Sequence, residues 1–93
     1  MPCFIRLIRR LRIPMPKRVS LFRDAERIEV KLKRRLGVEK HEELANRLKT
    51  MPEDTVRELF EAVLDEVETE KMMDSPDRLK EAKRRAMEIL RVA

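Results

Sequence analysis

Apolar residues recur along this chain at the spacing of an α-helix and hardly anywhere with the alternation of a strand. Leu21, Ala25, Ile28, Leu32 and Leu36 stand at i, i+4, i+7, i+11 and i+15, one stripe on a 3.6-residue repeat. Gly37, the one glycine of the chain, follows directly, where a left-handed residue closes a helix. Ser20 precedes the stripe, placed to cap it. The spacing predicts a helix over 21–36 and a shorter one over 41–49, with Leu44, Ala45 and Leu48 facing inward. Thr50-Met51-Pro52-Glu53 reads as a capping box with proline in the first turn. Behind it Val56, Leu59, Phe60, Val63, Leu64 and Val67 form a broad apolar face. Ser75-Pro76-Asp77 opens a last helix, Ser75 as N-cap, with Leu79, Ala82, Ala86, Ile89 and Leu90 on its buried side.

Upstream, residues 3–13 place Phe4, Leu7, Ile8 and Leu11 at helical spacing with Arg6, Arg9 and Arg10 opposite. Pro14 and Pro16 then force an extended linker. The expected architecture is all-α. It comprises a basic amphipathic arm and proline-containing linker over 1–19, then a bundle of about four helices over 20–93. A domain this small hides only about 60–65% of its unfolded surface, so its stability margin is narrow.

The charges change sign in blocks. Residues 1–37 hold 12 Lys/Arg against 3 Asp/Glu, 38–77 hold 5 against 13, and 78–93 hold 6 against 2. Folding does not require such segregation, whereas a block of one sign acts on partners through its field. Arg23, Arg27 and Arg34 recur at i, i+4 and i+11 with Lys31 beside them, a row able to meet successive phosphates. Arg6, Arg9, Arg10, Arg12, Lys17 and Arg18 extend it through an acid-free start. The other sign forms its own row, Asp54, Glu58, Glu61, Asp65 and Glu68. Like charges at that spacing repel within a helix; the row faces solvent, a basic protein neighbour, the basic arm of a second copy or, least favoured because no glycine-turn loop arranges the oxygens, a divalent metal. The arm itself reads in three ways: as a phosphate-surface extension, as a short membrane-surface helix, or as an element docking Phe4, Leu7, Ile8 and Leu11 on the protein's own core or on a second copy.

Other chemistry is poorly supplied. His41-Glu42-Glu43-Leu44-Ala45 lacks the second histidine of a zinc-protease helix. One His and one Cys argue against a zinc site built from a single copy. No nucleophile–base pair or phosphate-cradling glycine loop is present, and the acids of the third bundle helix lie on an expected solvent face, where pKa values stay ordinary. The expectation is a non-enzyme without cofactor, metal or small-molecule substrate. Lone Cys3 excludes an internal disulfide and points to a reducing compartment, taken as the cytoplasm. Arginines interrupt any secretory or membrane-spanning run. A charged fraction of 44% with no Gln and one Asn fits a thermophile.

Lys17-Arg18-Val19-Ser20-Leu21 also alternates like a short strand, followed by a helix closing at Leu36-Gly37-Val38 and another through Leu44 and Leu48. This resembles the ribbon-helix-helix family over about a third of the chain. The resemblance implies a DNA-binding dimer reading bases through Arg18 and Ser20. The leading expectation is instead an accessory protein of a ribonucleoprotein such as the ribosome, binding structured RNA through phosphate. Exposed aromatics for base stacking are scarce, with only Phe4, Phe22 and Phe60. A protein-interaction module, using the acidic row and the apolar arm for a partner or a second copy, is the alternative.

Overall fold

The computed structural model describes residues 3–72 and 76–92, with the side chains of 3–5, 7 and 92 outside the description. All its regular structure is helical: α1 Cys3–Arg10, α2 Lys17–Arg23, α3 Ala25–Leu36, α4 His41–Lys49, α5 Glu53–Met72 and α6 Pro76–Val92. The longest helix, α5, is the axis of the molecule. It packs on α6 along one side and on α3 and α2 along another, while α1 sits across α4, α2 and α3. Val56, Leu59, Phe60, Val63, Leu64 and Val67 are all buried, as their spacing predicts, and Ala62 joins them. Among the described side chains of α6, Ala82 and Ala86 alone are fully buried. Leu79, Ile89 and Leu90 are half-buried, because α6 packs mainly against the single helix α5.

Three expectations are corrected. The stripe over 21–36 is carried by two helices, not one, and together with α1 this makes six helices among the described residues. The break falls at Asp24, whose backbone (φ −104°, ψ 20°) ends α2 and begins α3. The Asp24 carboxylate is almost fully buried, held by Lys71 Nζ from α5 at 2.6 Å and by Arg23 at 3.2 Å. Leu21 and Ile28 stay buried on either side, so the apolar repeat passes through the break without registering it.

Second, residues 17–21 lie in α2. No strand occurs among the described residues, which removes the ribbon of the ribbon-helix-helix resemblance and its base-reading geometry at Arg18 and Ser20. Ser20 is inside α2 and caps nothing; its carbonyl accepts the Asp24 N–H at 3.0 Å. Prolines set that geometry, since Pro16 has no N–H to lose at a helix start, and its carbonyl accepts from Val19 and Ser20.

Third, the N-terminal segment is not an appendage. Ile8, Leu11 and Ile13 are 0, 2 and 1% exposed and belong to the common core with Leu21, Leu44 and Phe60. Of the three readings of the arm, the core-docked one holds for Ile8 and Leu11. The docking of Phe4 and Leu7 lies outside the described side chains, and the Ser75 cap lies outside the described residues. The chain turns after α1 at Arg12, whose φ of +52° is the one positive value at a non-glycine among the described residues. Holding an L-residue there costs about 1–2 kcal/mol.

Of the other two local signals, the glycine stop holds and the capping box does not. Gly37 adopts φ +69° and closes α3, with the Val38 N–H bonded to the Lys33 carbonyl at 3.0 Å. A Cβ at Gly37 would meet no neighbour, so the backbone sign, not space, favours glycine there. The Thr50–Glu53 box does not close: the Thr50 hydroxyl donates to the Arg47 carbonyl at 2.7 Å, finishing α4 instead.

Candidate nucleic-acid interface

The cations singled out by sequence fall into two environments. Arg6, Arg9, Arg10 and Arg12 are all exposed and form no ion pair among the described residues. Arg9 alone has an ordered neighbour, the Phe22 ring, 6.0 Å from its guanidinium carbon, at the outer reach of a cation–π contact. Because Ile8 and Leu11 anchor one side of this segment in the core, its arginines are presented on the other side by a fixed backbone. Arg9, Arg10 and Arg12 line a groove of about 520 Å³ together with Glu53 and Arg57 at the start of α5. Arg57 is tied in place: its Nε donates to the Leu11 carbonyl at 3.2 Å, and its Nη1 lies 3.5 Å from Asp54. It thereby satisfies a carbonyl left without a helical partner past the end of α1.

Lys17, Arg23 and Lys31 are already engaged. Lys17 reaches Glu61 at 3.9 Å, Arg23 reaches Asp24 at 3.2 Å and Glu68 at 3.9 Å, and Lys31 reaches Glu66 at 3.1 Å and Glu70 at 2.7 Å. The structure therefore divides the single basic row expected from α2 and α3. Arg18 is half-buried, while Arg27 and Arg34 are exposed; none of the three forms an ion pair among the described residues. Arg27 and Arg34 flank the exposed Val30 on a shallow surface that also holds Glu26 and Glu70.

The acidic row of α5 is correspondingly not one open face. Glu61 and Glu68 answer α2, and Asp54 answers Arg57. Asp65 is half-buried. Glu58 is exposed and has no ion-pair partner among the described residues.

Sequence reasoning missed the buried carboxylates. Glu66 is completely buried and bound by Arg35, with Lys31 alongside. Glu29, 9% exposed, meets Lys33 at 3.3 Å and His41 Nδ1 at 2.7 Å. Burial pushes the Asp24 carboxyl up, but the hydrogen bonds and charges of Lys71 and Arg23 outweigh it and hold the group below its ordinary value of 3.8. The signal was present in the spacing: Glu66 is i+7 from Leu59, and Asp24 is i+3 from Leu21. Both acids sit on apolar stripes, where a charge needs a partner.

Among the described residues no group of His, Cys, Asp and Glu is placed to hold a metal ion, and no helix is long and apolar enough to cross a membrane. Comparison with protein-family models, curated proteins and solved structures finds no match to this chain, which leaves its own surface as the basis for a functional reading.

Proposed function

We propose that this protein binds structured nucleic acid, RNA in preference to DNA, through phosphate contacts, as a small non-enzymatic component of a ribonucleoprotein such as the ribosome. The observation that carries the reading is the group Arg6, Arg9, Arg10 and Arg12: exposed, without acidic partners among the described residues, and mounted on a segment whose apolar side is locked into the core. Guanidinium groups on a fixed backbone lose less freedom on docking than those of a free arm. Their planar forks suit phosphate oxygens. Arg18, Arg27 and Arg34 extend the contact, whereas Lys17, Arg23 and Lys31 contribute less because binding must first displace their carboxylates.

Phosphate binding has a thermodynamic signature. Four neutralised phosphates give a slope of log K against log salt of about −4 on duplex, a loss of roughly 10² in affinity between 50 and 200 mM salt. Replacing Arg6, Arg9, Arg10 and Arg12 together by Ala is expected to remove most of that slope and leave the helical circular dichroism unchanged. A slope unaltered by the quadruple change, or an absence of binding to any duplex by the parent protein, overturns the proposal.

A further inference from the structure

The arginine groove contains one group that a pure phosphate site would not want. Glu53 lines it beside Arg9, Arg10, Arg12 and Arg57, yet forms no hydrogen bond or ion pair among the described residues. The nearest cation on its own helix, Arg57, is turned to Asp54 and to the Leu11 carbonyl. The expected capping role of Glu53 is also unfilled, since the Thr50 N–H it would accept donates to the Arg47 carbonyl at 3.3 Å. An exposed, unpaired carboxylate among four guanidinium groups repels phosphate and accepts hydrogen bonds from any donor that enters with it.

From this we infer that Glu53 is a ribose-discriminating residue: its carboxylate accepts the 2′-hydroxyl of a nucleotide whose phosphates are held by the groove arginines. The inference rests on the phosphate-binding reading above and adds the basis of its RNA preference. In RNA the 2′-hydroxyl is carried on the carbon next to the one bearing the 3′-phosphate, so a site that grips the phosphate has that donor alongside. Deoxyribose offers only C–H there, and the carboxylate then keeps its repulsion with nothing in return. The 2′-hydroxyl is the group by which a protein tells the two nucleic acids apart locally. Among the described side chains the groove, about 520 Å³, is lined by Arg9, Arg10, Arg12, Glu53 and Arg57 with no aromatic ring, so charged and hydrogen-bonding groups dominate it. The sugar–phosphate chain is thus the part it fits. A first-turn carboxylate also suits the positive end of the α5 dipole, but that role is indifferent to what occupies the groove.

Three duplexes of one sequence separate these roles: RNA, 2′-fluoro RNA and DNA, each titrated with the full chain at one fixed salt concentration. The 2′-fluoro duplex keeps the A-form shape and phosphate charge but cannot donate. RNA is expected to bind about tenfold tighter than 2′-fluoro RNA, the worth of one charge-assisted hydrogen bond at a partly solvated site. Glu53→Ala should erase that gap while binding to the 2′-fluoro duplex holds or tightens, because a negative charge has left the groove. A gap of undiminished size in Glu53→Ala, or equal binding of RNA and 2′-fluoro RNA by the parent, overturns the role of Glu53 while salt-dependent binding keeps the phosphate reading intact. Failure of all three duplexes to bind overturns the phosphate reading and this inference with it.

Discussion

The segment through α1 to Ile13 and the α2–α3 pair are alike in sequence, with arginines and lysines opposite an apolar stripe, but they differ in what lies across from their cations. Against α2 and α3 runs α5, whose Glu61, Glu66, Glu68 and Glu70 reach Lys17, Arg23, Lys31 and Arg35. Against α1 lie α4, α2 and α3, and its arginines face outward, outside any ion pair among the described residues even where Glu53 lines the groove beside them. Cation spacing therefore describes a row but not its availability. Availability depends on which helix face the fold sets opposite: among the described residues, Arg6, Arg9, Arg10 and Arg12 of the α1 segment stay exposed and outside any ion pair, as do Arg27 and Arg34 of α3.

The sharpest way to break this contrast is to remove the N-terminal segment. Deleting residues 1–13 takes Ile8, Leu11 and Ile13 out of the core, at about 1.5–3 kcal/mol each. The sum rivals the whole stability of a small domain. Loss of cooperative unfolding by circular dichroism is expected; a truncated chain that melts like the parent would make the segment an appendage after all. Next in size is Arg35→Ala, which takes away the direct partner of the fully buried Glu66. About 3 kcal/mol of destabilisation is expected in urea, against less than about 0.5 kcal/mol for Arg10→Ala on the exposed side. Equal effects at the two positions would erase the distinction between committed and available cations.

Binding should divide the same way. Replacing Lys17, Arg23 and Lys31 by Ala should lower the salt slope less than replacing Arg9, Arg10 and Arg12, a difference of about one to two units if the engaged cations contribute little. An equal loss would show that nucleic acid displaces the α5 acids readily. The smallest effect concerns Asp24. Its carboxyl sits below the ordinary value of 3.8 in the folded state, so the stability it contributes is fully present above that value. It is lost as pH falls from there through the folded value. Urea midpoints followed from neutral pH to well below pH 3.8 should therefore fall less steeply at the acid end in Asp24→Asn than in the parent. Parallel curves would mean that the Lys71–Asp24 contact at 2.6 Å does not act on stability.

Much of the helical plan was legible because it rests on neighbours a few residues apart. The stop at Gly37 follows from its backbone freedom, and the buried faces of α4 and α5 follow from spacing alone. The break at Asp24 was not legible. Leu21 and Ile28 keep helical register across it, and the group that holds the Asp24 carboxylate, Lys71, stands 47 residues away. Thr50 shows the same limit at short range: its hydroxyl could cap α5 or finish α4, and its bond to the Arg47 carbonyl selected the second. Glu66 and Asp24 announced themselves by standing on apolar stripes, but not by naming their partners. For the groove, the arginines of the α1 segment could be listed from the sequence, while Glu53 and Arg57 could not be assigned to it, since they join it only where α5 begins beside the turn after α1.

By itself, then, the sequence determined an all-helical chain, the ends of several helices and the block arrangement of its charge, because each depends on local backbone preference and on periodicity along the chain. Only the tertiary structure decided that the basic N-terminal segment is core, that α2 and α3 are separate, and which cations remain open to a partner. Those outcomes depend on contacts between residues tens of positions apart. The packing of Ile8 and Leu11 into a shared interior and the pairing of α5 acids with α2 and α3 cations are set by how six helices fit together, which no single stripe encodes.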